Sequence, residues 1–237
     1  MAQTPGPATG GAGPASFDTD LTAGIGLAFV AGFVDAAAFI ALAGLFTAHV
    51  TGNFVLIGAE LVSTSVGVVA KLLALPAFVL AVAGTRLLAL GLERRGVAPL
   101  RWLLALETLL LAGFGLAGLA LAPLGSPDGA AAVSVGMLGV AAMGVQNAIG
   151  RLGLPHLAAT TVMTVNVTQA VIDLVDWARG AVAPDGAARL RMRRMLPAVL
   201  AFALGALAGA FGVAAWSFAC LAIPIAALCG LMLLLKP

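Results

Sequence analysis

Charged side chains are nearly missing from this chain of 237 residues: they make up 9% of it, where an ordinary soluble domain carries roughly 25%. So few charges cannot coat a water-facing surface. Cysteine is equally scarce, and Cys220 and Cys229 share one apolar block at a spacing that sets them on opposite faces of a helix turning by about 100° per residue. Neither a disulfide nor a metal pair is indicated. The basic residues sit in loops rather than on a face interleaved with aromatics, which excludes a nucleic-acid surface. No Ser/His/Asp set, metal-ligand cluster, phosphate loop or nucleotide fingerprint is found, so the expectation is a non-enzyme without cofactor or metal. No basic region precedes the first apolar stretch, and residues 1–20, opening on a Gly-, Pro- and Ala-rich run, read as a disordered N-terminal tail rather than a signal peptide.

What is present is hydrocarbon. Hydrophobic residues reach 62% and the mean hydropathy is +1.11. They fall in blocks at about 21–45, 50–69, 71–92, 101–124, 130–150, 158–178, 195–214 and 216–235, each near the ~20 residues that cross a bilayer core. The expected fold class is therefore all-α, a polytopic transmembrane helical bundle, with 21–237 as a single membrane domain. Two blocks differ from the rest. The second carries His49, Thr51, Asn53 and Glu60; the sixth carries Thr160, Thr161, Thr164, Asn166, Thr168, Asp173 and Asp176.

The chain also matches itself. Gly32-Phe33-Val34-Asp35-Ala36 aligns with Gly144-Val145-Gln146-Asn147-Ala148 at offset 112, and Thr51-Gly52-Asn53 with Glu60 aligns with Thr164-Val165-Asn166 with Asp173 at offset 113. Leu75-Pro76-Ala77 with Gly84 and Gly91 aligns with Leu196-Pro197-Ala198 with Gly205 and Gly212 at offset 121. Ordered matches with growing offsets imply two related repeats, at about 21–124 and 130–236.

Basic residues mark cytoplasmic loops, and two topologies follow from them. If all eight blocks span, Lys71, Arg179, Arg189, Arg191, Arg193, Arg194 and Lys236 face Arg94, Arg95, Arg101 and Arg151, a weak bias. If the two polar blocks are partial or re-entrant, every basic loop residue except Lys71 falls on the side of the termini. The favoured expectation is six full spans plus two polar partial segments, both termini cytoplasmic, the second repeat inverted; eight spans is the alternative.

Ionisable groups in hydrocarbon are costly, so each needs a reason. Asp35 lies deep in the first span beside Gly32 and alanines, either as a proton or cation site or as a structural hydrogen-bond acceptor; Asn147 is its repeat equivalent. Asn53 and Glu60 lie two helical turns apart on one face, as do Asn166 and Asp173, so with Thr51 and Thr164 they line one midplane cavity for a polar ligand, or else glue helices together. Gly52 permits a helix break there. His49 reads as a solvated interfacial histidine and His156 as a loop residue. Arg86 and Glu107 stand at matching depth across a hairpin and are expected to form a structural ion pair. Gly205, Gly209 and Gly212 give a small-residue face for contact inside the fold or between the protomers of a homodimer, and the run Arg189, Arg191, Arg193, Arg194 is a positive-inside anchor.

At Gly32-Phe33-Val34-Asp35-Ala36, Leu45-Phe46-Thr47-Ala48-His49-Val50-Thr51-Gly52-Asn53 and Gly144-Val145-Gln146-Asn147-Ala148 the sequence resembles the YoaK-like family of small bacterial inner-membrane proteins, over almost everything after residue 20. The resemblance implies a multi-span fold in the bacterial cytoplasmic membrane and supplies no substrate. One departure is Thr164-Val165 where Thr-Gly stands in the first half, implying a less sharply broken second segment. The expected function is a small secondary transporter or permease for a small polar solute, coupled to protons or cations; the alternative is a membrane scaffold or partner-binding subunit.

Overall fold

A computed structural model describes residues 14–63, 66–154, 157–180 and 186–235. Eight α-helices and no strand form among them: α1 (Pro14–Ala41), α2 (Gly52–Leu61), α3 (Val68–Glu93), α4 (Leu100–Ala120), α5 (Ala130–Leu152), α6 (Met163–Ala178), α7 (Gly186–Trp216) and α8 (Ala222–Leu234), with a 3-10 turn at Ser217–Leu221 before α8. Ala- and Leu-rich runs favour helix, and in hydrocarbon a helix satisfies its own backbone. Five stretches are long and apolar enough to cross a membrane: Thr19–Ala41, Val68–Glu93, Leu100–Ala120, Ala130–Leu152 and Arg191–Leu234, the last containing α7, the turn and α8. By contrast α2 has 10 residues and α6 has 16, about 15 Å and 24 Å of helix, short of a ~30 Å core.

The centre is made by α1 and α5, which cross in opposite directions: Gln146 reaches the Leu27 carbonyl while Gly136 lies against Leu42 and Leu45. Along α1 runs α7 in the same direction, with Gly205 on Phe29 and Gly209 on Phe33. A Cβ on either glycine would stand 2.2 Å from a backbone carbonyl oxygen, so only glycine permits this approach. On the other flank α3 follows α5 in the same direction, Gly144 touching Phe78 and Ala81, and Arg151 sharing a cavity with Arg86. Helix α4 lies antiparallel to α5, pairing Leu100 with Gly153 and Phe114 with Gly139. Finally α8 packs on α1 and α4, with Met232 near Thr108 and the turn residues Phe218 and Leu221 against Gly118 and Gly115.

Several expectations need adjusting. Helix α1 begins at Pro14, so residues 14–20, read as tail, join it; residues 1–13 and His156 lie outside the described residues. The first block ends at Ala41 because the chain reverses at Ala43 and Gly44, both in the left-handed region (φ 50° and 82°), and returns in non-helical conformation to residue 51; the second shrinks to α2 because its helix stops at Leu61 and α3 already begins at Val68, behind Gly67 at φ 71°. The small-residue face of α7 is occupied by α1. Its sequence partners are not equivalent, since Gly84 and Gly91 meet no neighbour. Arg86 and Glu107 do not pair: Arg86 turns along its own helix to Glu93 at 3.4 Å, and Glu107 is fully buried with no hydrogen-bond partner. The reason is that α4 packs on α5, α8 and the 3-10 turn rather than face to face with α3.

Candidate functional site

The returning segment after α1 is fastened by three side chains. Asp35 Oδ1 accepts the Thr47 and Ala48 backbone N–H groups at 2.6 and 2.7 Å and the Thr47 hydroxyl at 3.1 Å. Its Oδ2 lies 2.7 Å from His49 Nδ1. Such amides in a buried non-helical segment have no ladder to join, and a buried carboxylate is the acceptor that satisfies them. Asn53, at the start of α2, closes the loop with two bonds, accepting from Phe46 N–H and donating to Phe46 O, both at 2.9 Å. Lys71, in the first turn of α3, is buried and spends its three protons on Glu60 Oε1 (2.6 Å), Ala43 O (2.8 Å) and Val66 O (3.0 Å). It joins the ends of α1, α2 and α3 at one point.

The second half repeats the scheme with other groups. Asn147 Oδ1 accepts the Thr161 hydroxyl at 2.7 Å, fourteen residues on, the spacing of Asp35 and His49. Asn166 donates to Ala159 O at 2.7 Å, seven residues back, the spacing of Asn53 and Phe46. Asp173 on α6 meets Arg191 in α7 at 3.0 and 3.2 Å and Gln169 at 2.9 Å, as Glu60 meets Lys71. The Arg191 hydrogen bond, helped by Gln169 and opposed by burial, holds the Asp173 carboxyl below its usual range. His49 moves the other way: its hydrogen bond to Asp35 outweighs burial and raises the imidazole above 6.5.

Two cavities open beside these fastenings. One, of about 580 Å³, is lined by Asp35, Phe39, Phe46, His49, Thr51 and Phe202 among others, with the His49 ring edge-on to Phe202 at 5.5 Å. The other side holds a cavity of about 420 Å³ lined by Asn147, Arg151, Thr160, Thr161, Asn166 and Gln169, and an adjoining one of about 360 Å³ with Phe78, Arg86 and again Asn147 and Arg151. Asp35, Ala36, Phe39 and Ile40 line the first where Asn147, Ala148, Arg151 and Leu152, each 112 residues later, line the last. Among the described residues Thr51 and Asn166, expected from sequence to share one midplane cavity, line separate ones. Thr47, beside Asp35, packs on Gly139, eight residues along α5 from Asn147, which separates the two sites by about 12 Å of helix rise.

Of the residues singled out, Asp35 and Thr51 reach the first cavity and Asn147 and Asn166 the second; Asn53, Glu60 and Asp173 are consumed in fastenings, and Thr164 is exposed outside both. His49, which sequence reasoning read as a solvated interfacial histidine, is instead tied to Asp35 beside the first cavity. Its fourteen-residue distance from Asp35 has no helical meaning, and only the chain reversal at Ala43 and Gly44 brings the two together. Among the described residues no three His, Cys, Asp or Glu side chains gather as a metal centre would require.

Long apolar helices around two buried polar fastenings define a helical membrane protein. Within that class the chain belongs to the family described as protein of unknown function (DUF1275), which matches residues 23–234. No curated protein and no solved structure matches it.

Proposed function

We infer that this chain is a small secondary transporter built from two inverted repeats, α1 to α4 and α5 to α8, each with three full spans and one re-entrant segment containing α2 or α6. The helix directions support this: α1, α4 and α7 run one way and α3, α5 and α8 the other. So do the fastenings that recur in both halves at matching spacings. With the Arg-rich ends of α3, α5 and α7 on the cytoplasmic face, both termini lie there, in a bacterial inner membrane.

The observation that carries the reading is the Asp35–His49 pair at the tip of a broken segment, opening on the cavity of about 580 Å³. Nδ1 of His49 is committed to Asp35 and Nε2 is left for a solute, so protonation of the ring is linked to what occupies the cavity. Three phenylalanines in the wall suit a small solute with an apolar body and one polar head. A panel of such solutes, screened for thermal stabilisation of the purified protein at acidic and alkaline pH, tests this. Expected is a solute whose stabilisation depends on pH and is lost in His49→Gln, with uptake into vesicles driven by a proton gradient.

A scaffold is the second reading, favoured by the fact that Asp35, Glu60 and Asp173 all serve local partners. On that reading Asp35→Asn unfolds the chain, no solute stabilises it, and the same fastenings serve only to hold a partner-binding or homodimeric surface.

A further inference from the structure

Among the described residues one buried carboxyl belongs neither to the fastenings nor to the cavities. Glu107, midway along α4, is completely buried, and neither of its carboxylate oxygens has a hydrogen-bond partner. Gln146 of α5 is completely buried too; its amide nitrogen donates to Leu27 O at 2.8 Å and lies 3.4 Å from Thr160 Oγ1, while its Oε1 has no partner. The two vacancies belong to one place. Helices α4 and α5 pair antiparallel with Leu100 on Gly153 and Phe114 on Gly139, and Glu107 and Gln146 fall midway between these contacts, seven residues from each on both helices. Residues spaced by seven share a helix face, so Glu107 stands opposite Gln146.

An unpaired carboxylate is not tolerated in a dry core, whereas a neutral carboxylic acid offers one O–H donor and an amide oxygen is its natural acceptor. One proton on Glu107 repairs both defects. Nothing else nearby does so: the only charged side chain on α5, α8 or the 3-10 turn, the elements packed against α4, is Arg151, which lines the Asn147 cavity, and their thiols are Cys220, at the far end of α4, and the exposed Cys229. We propose that Glu107 is an intramembrane proton-binding site, a neutral carboxylic acid whose O–H donates to Gln146 Oε1. Through the other end of that amide the proton is linked to Thr160, at the tip of the second returning segment and on the wall of its cavity.

The inference deepens the transport reading by naming where a coupled proton sits, but the proton site stands whether or not a solute is found. The chain has three glutamates, Glu60, Glu93 and Glu107, and the first two pair with Lys71 and Arg86. Infrared spectra of the full chain, made with carbon-13 glutamate and reconstituted in lipid, therefore isolate the group. Expected at neutral pH is a single protonated carboxyl band that disappears in Glu107→Gln and moves to higher frequency in Gln146→Leu, as the hydrogen bond is lost. Glu107→Leu, which removes the polar group, should fold and lack the band as well. Only ionised glutamates at neutral pH, or a band indifferent to Gln146→Leu, overturns the proposal. A band behaving as expected, with no solute stabilising the protein and no uptake, sinks the transporter and leaves the proton site standing.

Discussion

The smallest unit on which the molecule turns is the hydrogen bond between Asp35 and His49. Because the imidazole is raised above 6.5 by that bond, its contribution to stability is complete below pH 6.5 and fades as pH climbs through the higher value of the folded state. The melting temperature of wild type should therefore exceed that of His49→Gln most in acid, by the equivalent of about 1 kcal/mol for a partly exposed, charge-assisted bond. The gap should close under alkaline conditions. A gap that widens with pH contradicts the assignment. Asp35 was legible from sequence as a carboxyl deep in an apolar span, because cost alone marks it. Its partner was not, since a histidine's exposure depends on where the chain turns, and that information sits in the φ angles of Ala43 and Gly44. The paired reading of Arg86 and Glu107 failed for a related reason: equal depth in two consecutive helices says nothing about whether those helices touch.

At the scale of the helix, composition located every element, though the second block holds only the ten residues of α2 and α7 starts at Gly186, ahead of its block at 195. Packing partners were harder to see. Gly205, Gly209 and Gly212 of α7 and Gly84 and Gly91 of α3 look alike in sequence, yet Gly205 and Gly209 meet a neighbouring backbone, Gly212 meets the side chains of Cys220 and Phe33, and the α3 pair meets nothing. A direct comparison follows. Gly205→Ala places a methyl 2.2 Å from Phe29 O and should destabilise by on the order of 1–3 kcal/mol, forcing α7 off α1. Gly84→Ala has open space and should be neutral or gain up to about 1 kcal/mol in helix propensity. Thermal melts of the two variants in one detergent decide it; equal effects would mean that the α1–α7 approach is looser than the carbonyl distances require. Pro76 and Pro197, by contrast, both fall inside long helices, α3 and α7.

For the whole molecule the decisive quantity is the number of crossings, because an odd number per repeat inverts the second half and an even number does not. Sequence leaned toward three through the placement of its arginines, an argument about loops alone. Helix lengths and directions add an independent one: α2 is too short to cross, and Lys71 ties its end back to Ala43 at the end of α1, which supports the proposal of three crossings per half. A reporter of compartment placed at Gly96, between α3 and α4, should then lie on the same side as reporters at both termini, and one at Ser126, between α4 and α5, on the opposite side. Eight crossings require the reverse at both loops. Since Ser126 precedes Asp128, whose carboxylate accepts the Gly67 and Val69 amides at 3.0 and 2.8 Å, its loop and the start of α3 share one face. A cytoplasmic signal from Ser126 would thus place Lys71 and the mouth of the first returning segment in the cytoplasm, and the inverted arrangement, with its two cavities at different depths, would lose its footing.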